Sequence, residues 1–99
     1  MWHVKIHRLV IAEDFKKIPS SDQKHILQVI HKKLSIDPHT YGKPLSAEFA
    51  GYFRLRIEDY RAVYRILKEE IVVLVIKVGI RRDDTVYREL FSRLKKLSS

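Results

Sequence analysis

The chain reads as an α+β domain, with a small antiparallel sheet of about four strands. Two N-terminal helices pack on one side and a C-terminal helix lies at the edge, in the order β-α-α-β-β-β-α. Three observations predict this. Residues 51–87 hold three successive strand-like stretches, two of which alternate apolar and charged side chains with a period of two. Ile26, Leu27, Ile30 and Leu34 recur at helical spacing, and Val86, Leu90 and Leu94 form a second helical stripe. The length of 99 residues suits one domain over residues 1–99, and an apolar share of 45% supplies a modest core without staples.

In chain order, residues 2–7 alternate Trp2, Val4 and Ile6 with His3, Lys5 and His7, which predicts a first strand at a sheet edge. Residues 12–17 predict a short helical stretch, stopped by Pro19. Ser20 and Gln23 have the spacing of a capping box, so a helix is expected from Ser20 to about Ser35. Pro38 and Gly42 mark a loop that ends at Pro44. Residues 52–57 place Tyr52, Arg54 and Arg56 on one face of a strand and Phe53, Leu55 and Ile57 on the other. The next strand places Arg61 and Arg65 opposite Ala62, Tyr64 and Ile66, and residues 71–76 read as a central strand. Glu58-Asp59 and residues 68–70 are tight connections, and Asp83 or Asp84 starts the last helix.

The formal net charge of +8 is large for this length and favours a polyanionic partner, nucleic acid first and an acidic protein second. With no cysteine there is no disulfide, thiolate metal site or cysteine nucleophile, which fits a cytosolic protein. No apolar run reaches membrane-spanning length. His25 and His31 stand six apart and do not make a helical zinc pair. No metal or other cofactor is expected. Arg54, Arg61 and Lys77, on three adjacent strands, would therefore share one cationic surface with Arg56 and Arg81. Arginine suits such a surface, because its planar fork pairs with two phosphate oxygens at once.

The residues DYRAVYRI and IVVLVIKVGIRRDDTVYREL, with GKPL at 42–45, resemble the RelE/ParE toxin superfamily and within it the RelE-type messenger-RNA endonucleases. The carrying pattern is Tyr60-Arg61-x-x-Tyr64, a β run, Val78-Gly79-x-Arg81, and Tyr87 six residues after that arginine. The resemblance implies a type II toxin that cuts messenger RNA in the ribosomal A site. A RelB-like antitoxin, acidic and with an amphipathic helix, would hold it inactive. Operator DNA would be met only through the antitoxin, and no membrane is involved. A DNA gyrase poison of the ParE kind and an inactive antitoxin-binding relative are the alternatives.

Carried over by residue, the resemblance puts catalysis on Arg54, Arg61, Arg81 and Tyr87. Tyr52 stands where the RelE pattern has a lysine often credited with activating the nucleophile. Arg61 and Arg54 would stabilise the phosphorane, Arg81 would neutralise the leaving oxygen, and Tyr87 would stack on a base or position the 2′-hydroxyl. Arginine cannot take the 2′-hydroxyl proton, so Tyr52, Tyr87, Lys77 and orientation by the ribosome all stay open as its source of activation. Arg56, Lys77, Arg82, Lys43, Lys95 and Lys96 are assigned to further RNA phosphates. Leu90, Phe91 and Leu94 are assigned to an antitoxin helix.

Overall fold

In the computed structural model, which describes residues 1–80 and 85–98, the strand-like stretches join into one five-stranded sheet. Strands β1 (His3–Ile6), β2 (Lys43–Pro44), β3 (Tyr52–Ile57), β4 (Tyr60–Leu67) and β5 (Val72–Ile80) lie in the order β1-β5-β4-β3-β2. Strands β3, β4 and β5 form an antiparallel meander, as their alternation predicts. The turn between β3 and β4 is only Glu58-Asp59, and it forces Glu58 to a left-handed φ of 53°. Strand β1 is at the edge as expected, but it pairs in parallel with β5, so the sheet is mixed and has one strand more than expected. The short β2, taken as loop from its Pro and Gly, pairs Lys43 with Arg54.

Three α-helices stand among the described residues: α1 (Ser20–Leu34), α2 (Pro38–Tyr41) and α3 (Thr85–Ser98). Before α1, residues Val10–Asp14 form a π turn and Phe15–Lys17 a 3-10 turn. The expected capping box does not form. Pro19 takes the N-cap position, and the Gln23 side chain donates instead to the carbonyls of Phe15 (2.7 Å) and Ile18 (2.8 Å). That ties the start of α1 to the turn before it, because Pro19 holds the chain extended and leaves those carbonyls facing the helix.

The two sheet faces are packed by different elements. Leu55, Ile57, Ala62, Tyr64, Val73, Val75 and Val78 bury one face with Ile26, Ile30 and Leu34 of α1 and with Val10, Phe15 and Ile18. On the other face Val63 and Ile76 meet Leu90 of α3, with Leu74 and Leu94 at the margin. Helix α3 therefore covers the second face and is not an edge helix. Gly79 permits this approach, since a Cβ there would lie 2.7 Å from Val86 Cγ2.

A β-bulge decides what lies under α3. Val63 faces Lys77 and Tyr64 faces Val75, which leaves Ile76 as the extra residue of β5. Ile76 and Lys77 consequently both turn towards α3, Ile76 onto Leu90 and Lys77 onto Glu89. The Lys77 ammonium is buried between Asp14 (2.9 Å) and Glu89 (3.0 Å). Asp14, also buried, accepts from the Val78 amide at 2.9 Å and from Arg93 at 2.7 Å. Arg93 donates in addition to the Ile76 carbonyl and to Glu13. Burial opposes the Arg93 charge, but the bonds and charges of Asp14 and Glu13 outweigh it and hold its pKa above the ordinary value.

Removing one partner of such a network leaves an uncompensated buried charge. Asp14→Ala is expected to lower the unfolding free energy by about 3–5 kcal/mol in urea titrations; a loss below ~1 kcal/mol would mean that the network contributes little. A second expectation concerns alkaline pH. Burial pushes the Tyr64 phenol, which donates to the Pro38 carbonyl, up to about 12 from its usual 10. The folded chain keeps this proton where the unfolded chain loses it. Stability from Tyr64 is thus complete below pH 10 and is lost as pH rises towards 12. Urea midpoints compared at about pH 9 and about pH 11 should fall in the native chain and fall less in Tyr64→Phe.

Candidate functional site

Strand pairing sorts the cations by face. Lys43 stands opposite Arg54, Arg56 opposite Arg61, and Arg65 opposite Tyr52. With Val63 opposite Arg54, Arg61 lies on the diagonal from Arg54, roughly 7–8 Å between backbones. Tyr52, Arg54, Arg56 and Arg61 therefore share the α3 side of the sheet, as the period of two requires. Among the described residues none of Arg54, Arg56, Arg61 and Arg65 is ion-paired with a carboxylate. Arg56 and Arg61 thus stand directly opposite across β3 and β4, and among the described residues no carboxylate pairs with either.

Helix α3 brings Tyr87 into this cluster. The Arg61 guanidinium carbon lies 5.1 Å from the centroid of the Tyr87 ring, a cation–π contact. The Arg61 Nε is buried and has no hydrogen-bond partner among the described residues. A desolvated donor left this way is costly, and an anionic acceptor would complete it. Phe49 also stands beside Tyr87, with centroids 6.1 Å apart and ring planes at 33°. Phe49 comes from a 3-10 turn, Ala47–Phe49, inserted between β2 and β3. Tyr52 is half-buried beside it in the small cluster under α3.

The fate of the other expected site residues is mixed. Arg81 and Arg82 lie outside the described residues. Lys77 keeps the face expected for it, opposite Val63, but α3 covers it there and Asp14 and Glu89 engage its buried ammonium, so it is not part of the exposed cationic surface. Lys43 and Arg56 are exposed beside the arginines. Lys95 lies 4.6 Å from the Phe91 ring centroid, on the outer side of α3, and Lys96 is exposed nearby. Leu90 is fully buried against Val63 and Ile76, and Leu94 packs at that margin, so both hold α3 to the sheet. Leu90 is closed to a partner while α3 stays docked, Leu94 is half-buried, and Phe91, 44% exposed, is the most accessible of the three.

Asp14, Arg93 and Phe49 were not singled out from the sequence. Asp14 and Arg93 look like ordinary surface charges until the fold brings them together. Phe49 carries no periodic signal. His25 pairs with Glu58 of the turn between β3 and β4 at 2.8 Å, a partner distant from it in sequence. Among the described residues no group of three histidine, aspartate or glutamate side chains could hold a metal ion.

Comparison with known proteins agrees with the fold. Residues 4–85 match the family described as the ParE toxin of the type II toxin–antitoxin system parDE. The chain belongs to this family of toxins, part of the RelE/ParE superfamily. It is 36% identical over 75 residues to Toxin RelG of Mycobacterium tuberculosis, covering 76% of this chain and 84% of the relative. It is 44% identical over 41 residues to the mRNA interferase toxin RelE of Escherichia coli, covering 41% of this chain and 43% of RelE. Among solved structures, a chain of the toxin–antitoxin complex RelBE2 of M. tuberculosis aligns with a TM-score of 0.75 and 31% identity, over 81% of this chain and 98% of that one.

Like charges directly opposite across two strands destabilise a sheet by ~0.2–1 kcal/mol. Arg56→Gln should therefore stabilise the chain by about that amount at low salt and by nothing measurable at high salt. Urea titrations at the two salt concentrations decide it, and a destabilised Arg56→Gln would show that Arg56 is held by favourable contacts.

Proposed function

We propose that this toxin is a ribosome-dependent endoribonuclease that cleaves messenger RNA in the A site, with residues 1–99 acting as one catalytic domain. One observation carries the reading: Arg61, stacked on Tyr87, has a buried Nε and stands opposite a second guanidinium, Arg56, and among the described residues neither has an anionic partner. A phosphodiester answers all of these features, since its oxygens accept in pairs and its charge relieves the repulsion. In the reaction the 2′-oxygen bonds to phosphorus and gives up its proton, while the bond from phosphorus to the 5′-oxygen breaks. The products are a 2′,3′-cyclic phosphate and a 5′-hydroxyl.

Arg61 and Arg54 stabilise the extra charge of the pentavalent phosphorus, and Tyr87 stacks on the flanking base. Arg81 neutralises the leaving 5′-oxygen, a role that rests on the resemblance alone. Arginine does not accept the 2′-hydroxyl proton and Lys77 is engaged elsewhere, which leaves the phenols of Tyr52 and Tyr87 as the chain's own acceptors. The ribosome supplies the alignment of the 2′-hydroxyl that a strong base would otherwise make unnecessary. The partner that silences the toxin is an acidic, RelB-like antitoxin, as in the RelBE2 complex. The work is done in the cytoplasm, where ribosomes are.

The second reading, a gyrase poison without nuclease chemistry, is favoured by the ParE family match and by Tyr52 at the lysine position. Primer extension on a messenger programmed into ribosomes separates the two. Cuts within the A-site codon are expected only with ribosomes present, reduced about 10²–10³-fold by Arg61→Ala, as for loss of one fixed charge donor. Growth arrest without cuts would move the target to gyrase.

A further inference from the structure

Beside the end of β3 a groove of about 460 Å³ lies between α1 and α2. Lys32, Lys33 and Arg56 line it, and among the described residues no carboxylate pairs with any of them. The carboxylate of the groove, Glu58, is engaged by His25 at 2.8 Å. The groove is therefore cationic, and its charge is not neutralised from within. It also offers apolar surface. Ile36 is 63% exposed and Tyr41 49%, and the Lys33 ammonium lies 5.6 Å from the centre of the Tyr41 ring. Basic groups interleaved with an exposed ring are the chemistry that holds single-stranded RNA, by its phosphates and by the faces of its bases.

Arg56 joins this groove to the cationic face under α3. It stands opposite Arg61 across β3 and β4, and it also lines the groove. Strand β2 pairs only with Phe53 and Arg54, so among the described residues no strand covers the edge of β3 at residues 55–57. We propose that the messenger strand continues round this open edge, with Lys32 and Lys33 on phosphates beyond the scissile one and Tyr41 against a flanking base. An acidic peptide would answer the charges too, but the continuity through Arg56 with Arg61 favours one nucleic acid strand over both sites. The inference rests on the endoribonuclease reading for its ligand and adds to it a subsite on the α1 side of the sheet.

The test uses the full chain, isotopically labelled, with a trimer and a heptamer of 2′-O-methyl uridine, which bind without being cut. The heptamer should shift the amides of residues 29–41 and 55–58. Lys32→Gln combined with Lys33→Gln should weaken the heptamer about tenfold and make its dependence on log salt shallower by about 1.4, the equivalent of two phosphates. The trimer should change by less than about twofold. Tyr41→Ala, at an exposed position, should also weaken the heptamer about tenfold. The same lysine change at Lys5 and Lys68, both exposed and away from the groove, should leave both oligonucleotides within about twofold. A heptamer that leaves those amides unmoved, or that binds the Lys32/Lys33 variant as it binds the native chain, would overturn the proposal. So would an equal loss for the trimer or from the Lys5/Lys68 variant. Shifts of the same amides by hexaglutamate but not by the heptamer would overturn it in favour of an acidic protein. Programmed ribosomes keep the two readings apart. Cuts in the A site without the heptamer effects defeat the groove but not the nuclease, and the heptamer effects without cuts defeat the nuclease but not the groove.

Discussion

The Asp14 carboxylate is the constraint on which the arrangement of this toxin depends. Strand β1 ends at Ile6, and among the described residues no strand pairs with the edge of β5 beyond Val75. Asp14 takes the place of one by accepting from the Val78 amide. It also accepts from Lys77 of β5 and from Arg93 of α3, so three segments distant in sequence converge on a single buried anion. Such a group is tolerable only when its partners are all in place. Glu89 and Arg93 sit one turn apart on α3, and their two contacts set the rotation of the helix. With that rotation set, Tyr87 is turned towards Arg61 and Phe49.

The faces of the sheet consequently do different work. One is a closed apolar layer under α1 and the turns before it, with Tyr64 buried in it. The other is only half covered. Under α3 it is apolar, through Val63, Ile76 and Leu90, and beyond the helix it is cationic. The arginines there gain nothing from one another, and among the described residues the Arg61 Nε has no acceptor. A surface kept in this state is stabilised by an anion, which is a physical statement about its ligand that net charge alone does not make. The polar network on α3 and the unpaired cations on β3 and β4 are thus complementary: full satisfaction of one holds the other open.

Much of the fold was legible in local pattern. The alternation of β3 and β4 and the apolar spacing of α1 are periodic, and they placed Tyr52, Arg54, Arg56 and Arg61 on one face before any coordinates. Local pattern misled where a distant element intervened. Lys77 keeps the face that a count of two along β5 gives it, but α3 covers that part of the face and Asp14 and Glu89 enclose its ammonium. The capping box failed for a local reason, since Pro19 already occupies the N-cap position and Gln23 finds better acceptors in the preceding turn.

By itself the sequence determined strands β1, β3, β4 and β5 and helices α1 and α3, the sharing of one face by the arginines, and the resemblance to the family, while β2 and α2 fall in a stretch it marks as loop. These depend on neighbours within a few positions, and the backbone imposes its periods of two and 3.6 on them directly. Only the tertiary structure decided that α3 covers the second face, that Lys77 and Arg93 close on Asp14, and that Phe49 stands beside Tyr87. Each of those contacts joins residues tens of positions apart, with Asp14 reaching Lys77 across 63 positions and Arg93 across 79. Their energy comes from desolvation and charge pairing, which exist only once the chain has closed around them.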